Sequence, residues 1–237
     1  MLSMYKRVLI KISGEQLSGK FESGIDGEFA GWLAREIKAI SEGGSQVVIM
    51  VGGGNFVRGA QVVGHGIKRV TGDHMGMLGT MINALALTDI FEAQGVKTRC
   101  LSNIFADQVA EKFVHRLANK HLEKGRVVIA AGGTGRPYLT TDTAAVVIAL
   151  ELDCEIVLKA TKVDGVYDKD PATSPDAKKF ETLTMQQAVE NSAIKVMDKA
   201  ALGLAMEHEM KIIVFDLVKE NNIKNAVAGK PAGTLIS

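Results

Sequence analysis

Continuous runs of apolar, mostly β-branched residues alternate with segments of helical period along the whole chain. The runs predict strands and the periodic segments predict helices. The predicted strands lie near residues 7–12, 46–51, 96–101, 126–131, 154–159 and 211–215. The predicted helices lie near residues 28–41, 73–93, 107–123, 141–151, 185–191 and 198–209. Because the strands are apolar throughout, both of their faces should be covered, which predicts an α/β fold: a three-layer αβα sandwich with a mainly parallel sheet.

Three of the predicted strands end in a glycine-rich polar cluster. The three sequences are VLIKISGE, VVIMVGGGNFVRG and VVIAAGGTGRPYLTTD. Glycines after a strand let the backbone approach a ligand closely and direct its N–H groups at an anion. Since ligands of such sheets lie outside the carboxyl ends of the strands, we expect the clusters at one edge of the sheet. This repetition predicts a site for several phosphates from two molecules.

Two familiar nucleotide motifs do not fit these clusters. Residues 14–20 match GxxxxGK, but Phe21 stands where a P-loop needs Ser or Thr. Residues 22–28 favour a turn, so no helix is expected to begin directly behind the first cluster. The cluster at 52–54 has Val57 where GxGxxG needs its last glycine, which argues against a dinucleotide oxidoreductase.

Composition indicates one domain, residues 1–237, with enough apolar content (46%) to bury a sizeable core. The net charge of +1 provides no long-range field for nucleic acid or an acidic membrane. The first residues lack a signal-peptide core and no apolar stretch could span a bilayer, so we expect a cytoplasmic protein. Cys100 and Cys154 are expected to be buried thiols, and the five histidines show no transition-metal spacing.

Lys11 lies inside an otherwise apolar predicted strand. Burying an ammonium is costly unless it meets an anion, so this lysine either reaches solvent from an edge strand or bridges a transferring phosphoryl group. In the second cluster, Gly52 to Gly54 precede Arg58, a side chain suited to phosphate oxygens. Lys159 ends another apolar strand.

The helix predicted at 73–93 has Asp73 at its head. This carboxylate either caps the helix or contacts a ligand, and the sequence does not decide between the two. Five apolar side chains of the helix form a broad surface that is typical of core or of a subunit interface: Met75, Leu78, Ile82, Leu85 and Leu87.

The third cluster supplies hydroxyl groups at Thr134, Thr140 and Thr141 before Asp142, although threonine and aspartate at this position also cap helices. Residues 161–182 interrupt the βα pattern, and their first part, TKVDGVYDKD, predicts a small hairpin that turns at Asp164 and Gly165. Lys159 and this polar hairpin, with Lys162 and an aromatic side chain at Tyr167, could hold ATP phosphates and cover the base.

The segments KISGE, GGGNFVRG, GDHMGMLGT, GGTGRPYLTTD, LKATKVDGVYDKDP and KVMDKAA resemble, in order and spacing, the amino acid kinase family, and within it the bacterial enzymes that phosphorylate UMP with ATP. The resemblance runs nearly end to end. It implies that ATP contacts Lys11, Ser13, Gly14, Gly54, Arg58, Thr161, Tyr167 and Asp170. It implies that UMP contacts Gly53, Asp73, Thr134, Gly135, Arg136, Pro137, Tyr138, Leu139, Thr140 and Thr141.

The same resemblance implies GTP activation, UTP inhibition and a homohexamer. It places the segment associated with GTP at Gly19, Lys20, Phe21, Glu22, Ser23 and Gly24. The expected catalytic residues are Lys11, Lys159 and Asp142. The two lysines would stabilise charge on the transferring group, and the aspartate would orient Lys11 or magnesium. Mg²⁺ would be held mostly by ATP oxygens and water.

Two other functions stay open. One is a kinase for carbamate or an acyl carboxylate on the same fold, in which the helix that carries Asp73 meets a different acceptor. The other is a nucleotide sensor or storage protein without catalysis.

Overall fold

A computed structural model describes residues 4–58, 62, 66–191, 194 and 196–237. Within these residues nine strands form one sheet, in the order β4-β3-β5-β2-β1-β6-β8-β9-β7. Neighbouring strands run parallel except β8 and β9, which are antiparallel. The strands are β1 (Arg7–Ile12), β2 (Gln46–Val51), β3 (Thr98–Ser102), β4 (Glu111–Lys112), β5 (Val127–Ala131), β6 (Ile156–Thr161), β7 (Thr182–Leu183), β8 (Lys211–Asp216) and β9 (Gly233–Ile236). This confirms the predicted, mainly parallel sheet.

Helices connect most of these strands. They are α1 (Gly14–Leu17), α2 (Gly27–Glu42), α3 (Arg69–Ala93), α4 (His115–Glu123), α5 (Thr141–Glu151), α6 (Met185–Glu190), α7 (Lys199–Glu207) and α8 (Asn222–Val227). Side-chain caps fix several of their starts: the Asp26 carboxylate accepts from two N–H groups of α2, and the Asp198 carboxylate accepts from Ala201 N of α7. No helix in the described part of the chain is long and apolar enough to cross a membrane.

The sheet is covered on both faces, which confirms the three-layer arrangement. Alternate residues of β1 point to opposite sides: Val8, Ile10 and Ile12 join a core with α2, α3 and α8. Leu9 joins a second core with α4, α5, α6 and α7. Lys11 has the parity of Leu9, so it faces the layer that contains α5.

The predicted strands agree with the observed ones to within two residues, but the helix predicted at 107–123 is wrong in its first half. Residues 111–112 form β4 instead, because their backbone pairs with β3 at the edge of the sheet. The helix α4 begins at His115, and the long helix α3 begins at Arg69, four residues earlier than predicted. The short elements α1, β7, α8 and β9 were not predicted.

The hairpin predicted in residues 161–170 is also wrong. The backbone of residues 166–168 pairs with residues 178–180, through Asp168 N to Lys178 O (3.1 Å) and Phe180 N to Val166 O (2.8 Å). A distant strand also holds this segment, since Val166 N donates to the hydroxyl group of Thr234 in β9 (2.8 Å). Local turn propensity at Asp164 and Gly165 therefore does not set the pairing.

Both cysteines are buried, as expected. Burial raises the pKa of the Cys100 thiol to about 11 and that of the Cys154 thiol to about 12. Neither thiol is therefore a ready nucleophile at neutral pH.

Candidate active site

The three glycine clusters follow β1, β2 and β5, which are neighbours in the sheet and point the same way. The first two clusters touch through their backbones, since a Cβ atom added at Gly14 would lie 2.8 Å from Gly54 N and 2.9 Å from Gly52 O. A side chain at Gly14 would separate the two loops. The prediction that no helix stands directly behind the first loop is wrong, because α1 begins at Gly14, where the Gln16 side chain accepts from Ser13 N (3.1 Å).

Two lysines lie side by side at the centre of this edge. Lys11 of β1 and Lys159 of β6 are partners in the parallel register, so both side chains point to the same face of the sheet. Their side chains are 9% and 14% exposed. The edge-strand alternative for Lys11 is wrong, because β1 lies between β2 and β6.

Asp142 compensates both ammonium groups. Its Oδ1 lies 2.7 Å from Lys11 Nζ and its Oδ2 lies 2.7 Å from Lys159 Nζ. The carboxylate is held in place because Asp142 is the second residue of α5, where the helix dipole favours negative charge. Burial would raise its pKa, but the two ammonium groups outweigh burial and hold the pKa of Asp142 below its ordinary value.

The surroundings of Lys159 disfavour its charged form. Burial lowers its pKa, and the contact with Asp142 offsets part of this effect. Its ammonium also donates to the backbone carbonyl of Val196. Lys11, Asp142 and Lys159 together therefore carry two closely spaced positive charges and one negative charge, and all three side chains are largely buried. This arrangement favours the binding of a further anion.

A cleft of about 170 Å³ reaches Thr141, the residue before Asp142. It is lined by Gly53, Gly54, Val57, Arg69, Gly72, Asp73, Gly76, Met77, Thr80, Gly133, Thr134, Leu139, Thr140 and Thr141. Six residues of the predicted UMP set therefore lie around one cavity. The other four, Gly135, Arg136, Pro137 and Tyr138, belong to the same loop but are not among its lining residues.

Asp73 does not cap the long helix, so that alternative is wrong: α3 begins at Arg69 after Lys68, and Asp73 is its fifth residue. Arg69 Nε donates to both carboxylate oxygens of Asp73 (2.8 and 2.9 Å). Tyr138 N donates to Oδ2 as well (2.8 Å), from a residue in the left-handed region with φ 68°. Asp73 thereby joins α3 to the loop after β5.

A second cleft of about 460 Å³ has Lys159 in its wall. It is lined by Lys159, Thr161, Val163, Gly165, Val166, Tyr167, Lys169, Asp170, Pro171, Val196 and Val214. Thus three residues predicted to hold the ATP nucleoside, Thr161, Tyr167 and Asp170, share one cavity with apolar walls. Lys162 is not among the lining residues, and Asp164 accepts from the Tyr167 hydroxyl group (2.6 Å).

Arg58 forms an ion pair with Glu15 of α1, beside Gly54. Both side chains are about half exposed, so an incoming phosphate could replace Glu15 at little cost. The segment Gly19–Gly24 lies in the connection between α1 and α2, with Phe21 51% exposed, and Gly24 O accepts from the Asn55 amide (2.7 Å).

Sequence reasoning did not find several polar residues that support the site. Asp198 accepts from the hydroxyl groups of Thr140 and Thr143, and Thr80 Oγ1 accepts from Gly132 N (2.7 Å). Asn83 joins Asn55 behind the second glycine cluster. A buried polar residue within an apolar helical stretch was the available signal for Thr80 and Asn83, but their partners are distant in sequence.

Comparisons of the sequence and of the structure with known proteins agree with one another. The sequence profile described as the amino acid kinase family matches residues 6–216. A UMP kinase from Bacillus anthracis has 36% sequence identity and a TM-score of 0.94, with 98% of this chain and 96% of that chain covered. A UMP kinase from Ureaplasma parvum has 37% identity and a TM-score of 0.92, with 98% of each chain covered. A uridylate kinase from Archaeoglobus fulgidus has 26% identity and a TM-score of 0.76, with 97% and 99% covered.

Proposed function

The chain belongs to the amino acid kinase family, and from this premise we propose that it transfers the γ-phosphoryl group of ATP to UMP, giving UDP and ADP. The observation that carries the proposal is the group formed by Lys11, Asp142 and Lys159. It adjoins two clefts: Lys159 lines one, and Thr141, next to Asp142, lines the other. In this proposal the whole chain, residues 1–237, acts as one cytoplasmic domain.

To catalyse phosphoryl transfer, the protein mainly has to align the donor and acceptor phosphates and provide fixed positive charge. An oxygen of the UMP phosphate forms a bond to the γ-phosphorus while the bond from that phosphorus to the β–γ bridging oxygen breaks, and the electron pair leaves with ADP. The acceptor is already an anion, so no general base is needed. Lys11 and Lys159 stabilise the charge on the transferring group and the leaving oxygen. Asp142 pairs with both ammonium groups and directs them at this point.

UMP is assigned to the cleft beside α3. Its phosphate would meet the N–H groups of the second glycine cluster around Gly53, and Thr141 would supply a hydroxyl group. Thr140 would line the cleft beside UMP while its own hydroxyl group donates to Asp198. Asp73 is placed to accept hydrogen bonds from the nucleoside. Its contacts with Arg69 and Tyr138 N position the carboxylate in the absence of a ligand. The remaining predicted contacts, Thr134 to Leu139, belong to the loop that would close over the nucleoside.

ATP is assigned to the cleft beside Lys159. The apolar side chains of Val163, Val166 and Val214 suit a purine base, and Asp170 and Thr161 suit the ribose and the base edge. The triphosphate would extend past Lys159 toward Ser13, Gly14, Gly54 and Arg58, which lie at the end of β1 and β2.

Magnesium would arrive on the ATP phosphates. Each oxygen of Asp142 already lies 2.7 Å from an ammonium group, so a cation approaching this carboxylate would meet two positive charges. Within the described residues no three His, Cys, Asp or Glu side chains are grouped to hold a metal ion. A Mg²⁺ ion that keeps its phosphate and water ligands needs few protein donors, which suits this site. Bound Mg²⁺ would neutralise charge on the β- and γ-phosphates.

Regulation and assembly are part of the same proposal. The exposed segment Gly19–Gly24 is assigned to GTP activation, UTP inhibits by competing at the UMP cleft, and the chain assembles as a homohexamer. The outer face of α3 supports an assembly, since Leu78 and Ile82 are 49% and 48% exposed and Val70 is also exposed. Exposed apolar side chains in a row on one helix are typical of a subunit interface.

The deciding experiment is a substrate panel. ADP release from Mg·ATP is measured with UMP, CMP, carbamate and acetylglutamate, each with and without GTP. The proposal predicts turnover that is fastest with UMP and faster still with GTP. Preferential turnover of carbamate or acetylglutamate would support the carboxylate-type kinase instead. Tight nucleotide binding without ADP release from any acceptor would support the sensor.

A further inference from the structure

Two buried asparagines behind the second glycine cluster form a reciprocal pair. Asn55 Nδ2 donates to Asn83 Oδ1 (2.9 Å), and Asn83 Nδ2 donates to Asn55 Oδ1 (2.7 Å). The residues are 5% and 0% exposed. A buried amide is costly unless its donors and acceptor are paired, so this pair needs both partners in one orientation.

The second N–H of each amide reaches a backbone carbonyl of a nucleotide loop. Asn83 Nδ2 donates to Gly52 O (2.7 Å), and Asn55 Nδ2 donates to Gly24 O (2.7 Å). Rotation of either amide by 180° would place N–H groups against N–H groups and oxygen against carbonyl oxygen. The four hydrogen bonds therefore specify a single arrangement of Gly52, Asn55 and the end of the segment Gly19–Gly24.

The helix that carries Asn83 also holds the third glycine cluster. Thr80, one turn earlier, accepts from Gly132 N (2.7 Å). On the N-terminal side of Thr80, Gly53 packs directly on the helix backbone, where an added Cβ atom would lie 2.4 Å from Gly76 O and 2.9 Å from Thr80 N. The helix α3 thus sets the spacing between the loop proposed for phosphates and the loop proposed for UMP.

We propose that the Asn55–Asn83 pair is a positioning element for phosphoryl transfer: it sets the second glycine cluster against the two lysines and connects that cluster to the segment Gly19–Gly24. The inference rests on the proposed function. Asn83 contacts no substrate in this account, because its amide is fully buried behind Gly52. It acts on turnover by holding the N–H groups of Gly53 and Gly54 in the place that the phosphates require.

The test is Asn83→Asp in the full-length protein. Aspartate has nearly the same shape, but an ionised carboxylate cannot donate to Gly52 O or Asn55 Oδ1. We expect kcat at saturating ATP and UMP to fall about tenfold or more, since misplacement of a reacting group by about 1 Å can cost a hundredfold. The KM for UMP should change less than kcat, and activation by GTP should weaken.

Thr98→Val is the matched control. Thr98 is fully buried in β3, and its hydroxyl group donates to Val96 O (2.9 Å) within the edge region of the sheet. This variant also loses a buried hydrogen bond, so its Tm should fall while its kcat stays within twofold of the unmodified protein. If both variants lose Tm and kcat in the same proportion, the pair is merely structural and the inference is overturned.

Amide hydrogen exchange separates this inference from the proposed function. The peptide covering residues 52–58 should exchange faster in Asn83→Asp than in Thr98→Val, whether or not UMP is the acceptor. Equal exchange in the two variants would overturn the positioning role. If Asn83→Asp does not fold, Asn83→Ser retains one donor and should give a smaller change in the same direction; a kcat equal to that of the unmodified protein would also overturn the inference.

Discussion

Replacing Asp142 by asparagine is the most informative perturbation of the site. The substitution keeps the shape of the side chain and removes the negative charge that lies 2.7 Å from both Lys11 Nζ and Lys159 Nζ. The two ammonium groups then face each other from paired positions of β1 and β6, with side chains that are 9% and 14% exposed. The protein without nucleotide provides no other carboxylate at hydrogen-bond distance from them among the described residues.

The magnitude follows from this geometry. Each contact at 2.7 Å is worth about 6 kcal/mol at an effective dielectric constant of about 20, and much of it offsets the cost of burying the ions. Removing one partner of a buried ion pair typically destabilises a protein by about 3–5 kcal/mol. For a chain of this size that corresponds to a decrease in Tm of roughly 6–20 °C.

The stability of the Asp142→Asn variant should depend on pH, in a direction set by the pKa of Lys159. Burial lowers the pKa of Lys159, and Asp142 raises it again, so the Asp142→Asn variant should have a still lower pKa at Lys159. Between this folded value and the ordinary lysine value, the unfolded chain binds more protons than the folded one. Stability therefore rises with pH in this window.

The assay is urea unfolding of both proteins, without nucleotide, from pH 7 to pH 9.5. The variant should be less stable at pH 7, and the difference from the unmodified protein should shrink as the pH rises. ATP should also stabilise the variant more than the unmodified protein, because its phosphates replace the missing anion. A difference in stability below about 1 kcal/mol at pH 7 would refute the reasoning, since an unpaired buried charge should destabilise the protein by more than this. A difference that grows with pH would also refute it.

Three further substitutions follow from the same account. Lys11→Ala should lower kcat by at least a hundredfold in the ADP-release assay, while turnover near that of the unmodified protein would remove Lys11 from the catalytic group. Asp73→Asn should impair UMP use or UTP inhibition more than ATP binding, and a selective loss of ATP affinity by titration would contradict its place in the UMP cleft. Gly53→Ala should lower kcat and stability together, because its Cβ atom would lie 2.4 Å from Gly76 O; an unchanged crystal structure of the loop with full activity would show that the helix tolerates the methyl group.

The sequence predicts the layers of the fold well, because each buried strand is a continuous apolar run that needs no partner to be recognised. The runs at 7–12 and 46–51 match β1 and β2 to the residue. The errors fall where long-range pairing overrides local propensity. Residues 111–112 join β3 at the sheet edge, and Val166 N is bound by the hydroxyl group of Thr234, 68 residues away.

In the site, too, features with a local sequence signal could be predicted and features that depend on distant residues could not. Lysine in an apolar strand and glycines after a strand are local signals, so Lys11 and the three clusters could be found. That Lys11 and Lys159 are register partners follows from the strand order, which no local pattern encodes. The contribution of Asp198 and Asn83 to the site was missed because it consists of hydrogen bonds to residues 28 to 58 positions away; the local role of Asp198 as a helix cap gives no sign of it.

The most direct measurement is a crystal structure of the protein with UMP and a non-hydrolysable ATP analogue bound together. The account predicts the UMP phosphate and the γ-phosphate in line across the carboxyl edge of the sheet, with the ammonium groups of Lys11 and Lys159 within hydrogen-bond distance of the transferring group. UMP in any cleft other than the one lined by Gly53, Asp73 and Thr141, or phosphates that avoid both lysines, would contradict it.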